Sequence, residues 1–133
     1  MSVNVIIITH EQVGPALLRT VEQTFGGLPL PTVCVPIKSS CDPQAIVAKV
    51  TKLIKQINPR EGLLILTDLF GSTPTNIATR LQHQVEVKIV SGINLPMLIR
   101  VMNYPKLSLQ ELAFKAMSGG RDGVLDCCAQ AAG

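Results

Sequence analysis

The sequence predicts an α/β protein whose sheet is doubly wound, mainly parallel and covered by helices on both faces. Short segments rich in β-branched residues alternate with segments whose apolar residues recur at the helical period. The strand-like segments are apolar without alternation, as is typical of strands buried on both faces. With 133 residues, 47% of them hydrophobic, and no linker-like segment, the chain is expected to form a single domain over residues 1–133.

Four strands are predicted from runs of valine, isoleucine, leucine and threonine. They occupy residues 3–9, 32–37, 63–67 and 85–90. Each run is short and is followed by residues that start or cap a helix. We therefore expect every strand to lead into a helical crossover.

Helix boundaries follow from start and stop signals. Gly14-Pro15 opens the first helix and Gly26-Gly27 ends it, because glycine tolerates the positive φ of a helix C-terminus. The later signals are Asp42-Pro43 and Asn58-Pro59 around the second helix, residues 74–82 for the third, Asn94 before the fourth and a Ser108/Glu111 capping box before the fifth. The predicted chain thus alternates strands with helices almost to its end.

The strand order that we expect is flavodoxin-like, 2-1-3-4. Right-handed crossovers and the need to cover both faces favour this order, with a further edge strand left open. The first and third strands are then neighbours whose connections leave toward opposite sides, and a doubly wound fold binds its ligand at that point. His10 follows the first strand and Asp68 follows the third.

These two side chains are the candidate catalytic pair. Adjacent strands lie about 4.8 Å apart, so an imidazole and a carboxylate at their ends can form a hydrogen bond. Asp68 would hold one ring N–H of His10 and leave the other ring nitrogen as a nucleophile or base. In the alternative interpretations, Asp68 caps a helix or turn and His10 is an ordinary loop residue.

The segment TDLFGSTPTN favours phosphoryl chemistry. Gly71 permits close backbone approach, Ser72 and Thr73 offer hydroxyls, and Pro74 at the first helical position suggests that Thr73 caps a helix. Free N–H groups at such a helix start attract anions. No GxxxxGK[ST] loop is present, and we predict neither a cofactor nor a metal.

Four blocks of the sequence resemble the enzyme IIA components of the mannose class of the bacterial sugar phosphotransferase system. They are THE, LTDLFGSTPTNIATR, IVSGINLPMLIR and GGRDGV, in that family's order and spacing over almost the whole chain. The resemblance implies that His10 accepts a phosphoryl group from the histidine phosphocarrier protein and donates it to a IIB component. It also implies that Asp68 orients His10, that Gly71, Ser72 and Thr73 bind the phosphoryl oxygens, and that the protein is a homodimer.

The chain departs from that family at several points. Glu11 stands where the family commonly has glycine, and its charge should disfavour a phosphorylated neighbour unless it turns to solvent. GSTP replaces the frequent GGSP but keeps a hydroxyl before proline. The sequence ends at Gly133 without a fused IIB domain, so we expect a stand-alone IIA.

Arg121 either faces the crevice or pairs with Asp122 at the surface, and the surface pair is the preferred interpretation.

Three other functions remain open from the sequence. The same phosphohistidine could regulate a kinase or a transcription activator, or the chain could serve as a phosphotransfer subunit of a dihydroxyacetone kinase. A hydrolase using Ser72 or Thr73 with His10 and Asp68 has the necessary residue types but lacks a GxSxG elbow.

Composition argues against several classes of partner. The net charge of +3 is spread along the chain, and one Tyr and three Phe offer little surface for stacking on bases, so no nucleic acid is expected. No apolar run is long enough to cross a membrane, so we predict no direct membrane insertion and a cytoplasmic location. The four cysteines form no CxxC pair and are expected to be buried or incidental thiols, with a redox role for Cys127 and Cys128 left open.

Overall fold

The computed structural model describes residues 2–83 and 85–128, and in these ranges each of four strands is followed by a helix, with a fifth helix after the fourth. In chain order they are β1 (Asn4–His10), α1 (Val13–Phe25), β2 (Thr32–Ile37), α2 (Pro43–Ile57), β3 (Leu63–Thr67), α3 (Thr73–Thr79), β4 (Val87–Ser91), α4 (Leu95–Met102) and α5 (Leu109–Asp122). All strand pairs are parallel, in the order β2-β1-β3-β4. The predicted flavodoxin-like order is confirmed, and no further edge strand occurs within the described residues.

Two separate cores cover the two faces of the sheet. Successive side chains of a strand point to opposite faces, so Val5 and Ile7 of β1 contribute to one core whereas Ile6 and Ile8 contribute to the other. The first core is closed by α1, α4 and α5, and the second by α2 and α3. All four β1 side chains are at most 1% exposed, which explains why the strand is apolar without alternation.

The helix termini follow most of the predicted signals. Asp42 accepts a hydrogen bond from the Gln44 N–H, Asn94 accepts one from Met97, and Ser108 forms its capping box with Glu111. The prediction that Thr73 caps α3 is wrong. Ser72 occupies the N-cap position and Thr73 is the first helical residue, so proline stands at the second position, where its missing N–H is equally harmless.

The boundaries of β1, β4 and α3 also differ from the prediction. β1 lies one residue later than expected, at Asn4–His10. β4 begins two residues later than expected, at Val87. α3 ends at Thr79 because the following N–H groups of Arg80 and Leu81 turn to the carbonyls three residues earlier and leave the α-helical pattern.

The expected surface pair of Arg121 with Asp122 is wrong as well. Asp122 pairs instead with Arg100 of α4, at 2.9 Å, because adjacent residues of a helix do not face each other. Arg121 lines a cavity of about 470 Å³ at the carboxyl end of β4.

Of the helices in the described ranges, none has the length and apolar content that a membrane span requires.

Candidate functional site

The candidate site lies where β1 and β3 end side by side. The two strands pair with Ile8 opposite Thr67. His10 is therefore two residues beyond this pair on β1, and Asp68 is one residue beyond it on the neighbouring strand. The carboxyl ends of parallel strands meet at one edge of the sheet, so the topology alone brings the imidazole and the carboxylate together.

Asp68 makes two hydrogen bonds to His10 through a single carboxylate oxygen. Its Oδ2 accepts from the His10 backbone N–H at 3.0 Å and lies 2.9 Å from Nδ1 of the ring. The backbone bond fixes the carboxylate, and the ring bond fixes the imidazole. Both bonds reach His10 and not the N–H groups that follow Asp68, which contradicts the interpretation of Asp68 as a helix or turn cap.

Burial differs across this pair in a way that suits nucleophilic chemistry. The Asp68 side chain is 13% exposed, whereas the His10 side chain is 45% exposed. Oδ1 of Asp68 is buried and has no hydrogen-bond partner among the described residues. The carboxylate therefore acts mainly on the imidazole. With Nδ1 held by Asp68, Nε2 is the ring nitrogen that remains for an external group.

The loop after Asp68 is held by the carbonyl oxygen of Leu69. That oxygen accepts hydrogen bonds from the Ser72 N–H at 3.3 Å, the Ser72 hydroxyl at 2.5 Å and the Thr75 hydroxyl at 2.7 Å. The Thr75 hydroxyl also lies 2.8 Å from that of Thr67, below the loop and buried. Gly71 has φ +80°, a conformation that glycine adopts without a steric penalty and that allows the tight turn into α3.

Of the predicted phosphoryl ligands, Thr73 shares a cavity with His10. Its side chain is exposed. Gly71 and Ser72 stand in the preceding turn and do not line that cavity. The Ser72 hydroxyl donates to Leu69, so it can accept a further hydrogen bond but must rotate before it can donate one.

The cavity beside His10 has a volume of about 450 Å³ and includes residues that the sequence analysis missed. It is lined by His10, Glu11, Ile37, Lys38, Ser39, Cys41, Pro43 and Thr73. Lys38, Ser39 and Cys41 follow β2, which is the other neighbour of β1. The predicted order 2-1-3-4 already placed the end of β2 beside His10, and that was the signal that could have identified them.

Glu11 has an unusual backbone conformation directly after His10. Its φ is +42°, in the left-handed region that costs a residue with a side chain about 1–2 kcal/mol and costs glycine almost nothing. Its N–H donates to the Ile37 carbonyl at 2.9 Å, which holds the turn. Its side chain is exposed and lines the same cavity as His10, so solvent weakens the effect of its charge there but does not remove it.

No metal centre accompanies the site in the part of the chain that the structure describes. Groups of three or more histidine, cysteine, aspartate or glutamate side chains that could hold an ion are absent from residues 2–83 and 85–128.

Comparison with known proteins places the chain in a family. The family model EIIA-man, described as "PTS system fructose IIA component", matches residues 4–117. The fructose-specific EIIA component of Bacillus subtilis strain 168 is 30% identical over 120 residues, which cover 87% of this chain and 82% of that protein.

A longer relative and a solved structure agree with this match. The mannose-specific EIIAB component of Escherichia coli K12 is 26% identical over 127 residues, 93% of this chain but 39% of that protein, so the chain spans about two fifths of its length. A mannose/sorbose-specific IIA subunit from Enterococcus faecalis superposes with a TM-score of 0.84, at 25% identity and with 95% of each chain covered.

Proposed function

The chain belongs to the EIIA-man family of sugar phosphotransferase IIA components, and we propose that it carries a phosphoryl group on Nε2 of His10. The observation that carries the proposal is the bond of 2.9 Å between Nδ1 of His10 and Oδ2 of Asp68. This bond fixes the ring tautomer and leaves the lone pair of Nε2 on a half-exposed side chain that lines a cavity.

The transfer is an in-line displacement at phosphorus. The Nε2 lone pair of neutral His10 forms the new N–P bond while the N–P bond of the donor phosphohistidine breaks, and the donor nitrogen keeps that electron pair. The Nδ1 proton stays in the hydrogen bond to Asp68, whose negative charge stabilises the positive charge that develops on the imidazole. The reverse step donates the phosphoryl group to the next protein.

The phosphoryl oxygens are expected to meet Gly71, Ser72 and Thr73. The N–H groups of Thr73 and Thr75 belong to the first turn of α3, where backbone donors lack intrahelical partners. Thr73 adds a hydroxyl that lines the cavity. Gly71 leaves open space at its Cα, so a phosphoryl oxygen can approach the backbone there. Neutral donors of this kind bind an oxyanion without a nucleotide.

The donor and the acceptor in this proposal are other proteins of the phosphotransferase system. The histidine phosphocarrier protein would phosphorylate His10, and a IIB component would receive the group. The similar proteins named above are specific for fructose, mannose and mannose or sorbose, so family membership does not name one sugar. A cytoplasmic location stays a prediction.

We also propose that the protein forms a homodimer. β4 is an edge strand within the described residues, and Phe114, Met117, Val124 and Leu125 are between 40% and 77% exposed. Met117 and Val124 line one cavity together with residues of β4, and an open strand edge beside exposed apolar side chains favours association. Sedimentation equilibrium should give twice the chain mass for the wild type and a smaller mass for a Val124→Asp, Leu125→Asp variant. A wild type that sediments as a monomer would contradict this part of the proposal.

The carrier function is tested by phosphorylation with phosphoenolpyruvate, enzyme I and the histidine phosphocarrier protein. The wild type should acquire one acid-labile phosphoryl group. The chain contains two histidines, and His83 is exposed and does not line the cavity beside His10, so His83→Ala is a matched control for His10→Ala. We expect His83→Ala to be labelled like the wild type and His10→Ala to remain unlabelled. Labelling of His10→Ala at the wild-type rate would overturn the proposal.

A further inference from the structure

The cavity beside His10 contains charges of both signs. Apart from His10, its charged lining residues are Glu11 and Lys38. A phosphoryl group adds about 1.5 to 2 negative charges at neutral pH. Asp68 already contributes a carboxylate that is bound to the same imidazole. A phosphorylated His10 would therefore face two carboxylates, and Lys38 is the one cation among the lining residues.

The backbone holds Lys38 close to His10. Ile37 pairs with His10 in the parallel register of β1 and β2, and the Ile37 carbonyl accepts the Glu11 N–H. Lys38 is the next residue, and its own carbonyl accepts the Cys41 N–H at 3.0 Å. This turn fixes the Lys38 backbone at the rim of the cavity, whereas its side chain is exposed and retains its rotational freedom.

We propose that the ammonium group of Lys38 contacts the phosphoryl group on His10 and offsets the charge of Glu11. This inference rests on the proposed function, because it assigns a further residue to the same site. Lysine carries a compact charge and three donors on a flexible stem, which suits a phosphoryl group that is repeatedly gained and lost. Among the described residues Lys38 forms no ion pair, so no carboxylate competes for it in the unphosphorylated protein.

The same pair of charges gives Glu11 a role. A carboxylate beside the phosphoryl group raises the free energy of the phosphorylated state, and a lysine lowers it. Lys38 and Glu11 would then set the balance between holding the phosphoryl group and passing it on. A neutral substitution at either position should move that balance in opposite directions.

The experiment measures the equilibrium constant for phosphoryl exchange between His10 and the histidine phosphocarrier protein. At equilibrium this constant depends on the free phosphorylated and unphosphorylated proteins, so it is independent of how tightly the two proteins dock. The variants are Lys38→Gln, Lys38→Arg and Glu11→Gln. Lys49→Gln, on the exposed face of α2, removes the same charge from the protein away from the cavity.

We expect Lys38→Gln to lower the equilibrium constant by roughly threefold to tenfold, between the typical effect of an exposed charge pair and that of a hydrogen bond to a charged group. Glu11→Gln should raise it by about twofold to fivefold. Lys38→Arg and Lys49→Gln should stay close to the wild type. The same constant for Lys38→Gln and Lys49→Gln would overturn the inference. If wild-type His10 takes up no phosphoryl group at all, the proposed function itself fails, and the two failures are thus distinguishable.

Discussion

Replacement of Asp68 by asparagine tests the link between the geometry of the site and its reactivity. Asparagine has the shape of aspartate but lacks its charge. An amide oxygen in the place of Oδ2 could still accept the backbone N–H and the Nδ1–H of His10, which now lie 3.0 and 2.9 Å away. The amide nitrogen would then replace Oδ1, which is buried without a partner. The substitution therefore removes mainly the negative charge.

The size of the effect follows from the strength of that charged bond. Hydrogen bonds to charged groups contribute about 1.5–3 kcal/mol, compared with about 0.5–1.5 kcal/mol for neutral ones. The ring bond strengthens as positive charge develops on the imidazole, and asparagine keeps a neutral bond, so the transition state should lose the difference between the two, about 1–1.5 kcal/mol. Since about 1.4 kcal/mol corresponds to a factor of ten in rate, phosphorylation of His10 should slow by roughly fivefold to tenfold.

The assay is the initial rate of phosphorylation of Asp68→Asn by the phosphorylated histidine phosphocarrier protein, at equal concentrations of folded protein. Asp42→Asn is the matched control, because Asp42 caps α2 at the same edge of the sheet and asparagine is an equally good N-cap residue. A rate for Asp68→Asn within twofold of the wild type would refute the role of the carboxylate. If Asp42→Asn slowed phosphorylation equally, the effect would come from the loss of a nearby negative charge and not from the bond between Asp68 and His10.

The remaining predictions concern stability and thiol ionisation. Glu11→Gly should raise the free energy of unfolding in urea by up to about 1 kcal/mol, because φ is +42° at this residue and relief of about 1–2 kcal/mol of backbone strain is partly offset by the flexibility of glycine in the unfolded chain. An unfolding free energy no higher than that of Glu11→Gln would contradict this prediction. Gly14→Ala should destabilise by about 1–3 kcal/mol, because its Cβ would lie 2.8 Å from two buried side chains of β1, whereas Gln23→Ala on the exposed face of α1 should change little. Burial raises the pKa of the Cys34 thiol from 9.0 to about 11, so the unfolded thiol ionises first as the pH rises. Between pH 9 and 11 the free energy of unfolding of the wild type should fall by at most about 2–3 kcal/mol relative to that of Cys34→Ala. Parallel curves of unfolding free energy against pH for the two proteins would contradict the shift.

The fold could be predicted because several local signals agreed with one topology. Buried strands without alternation, the cap residues Asp42, Asn94 and Ser108, and right-handed crossovers together permit few arrangements of four strands. The observed order is the predicted one. Errors of one to three residues remained at the ends of β1, β4 and α3, where single hydrogen bonds decide whether a residue belongs to an element.

The site was predictable where it depends on topology and was not predictable where it depends on loops. His10 and Asp68 lie at the ends of neighbouring strands, so strand order was sufficient to bring them together. The Ser72 hydroxyl donates a hydrogen bond to the Leu69 carbonyl. No sequence pattern indicates this bond. Lys38 lines the cavity through a turn after β2, and a lysine in a loop carries no signal of its own. The predicted strand order placed the end of β2 beside His10, but the sequence did not indicate that the turn after β2 would bring Lys38 to the cavity.

Glu11 affects the protein both through its charge and through its left-handed backbone conformation. The family resemblance predicts glycine at this position, and from the sequence alone the consequence of Glu11 is its charge. The structure adds a backbone reason, since a φ of +42° favours glycine at that point. Glu11→Gln and Glu11→Gly separate the two effects, because the first removes the charge alone and the second also relieves the backbone.

The central claim is that Nε2 of His10 carries the phosphoryl group while Nδ1 remains bound to Asp68. Phosphorus–nitrogen couplings in an NMR spectrum of the phosphorylated, ¹⁵N-labelled protein identify the modified nitrogen directly. We predict a one-bond coupling to Nε2 of His10, with Nδ1 still protonated. A phosphorus attached to Nδ1, to His83 or to a hydroxyl oxygen would contradict the account.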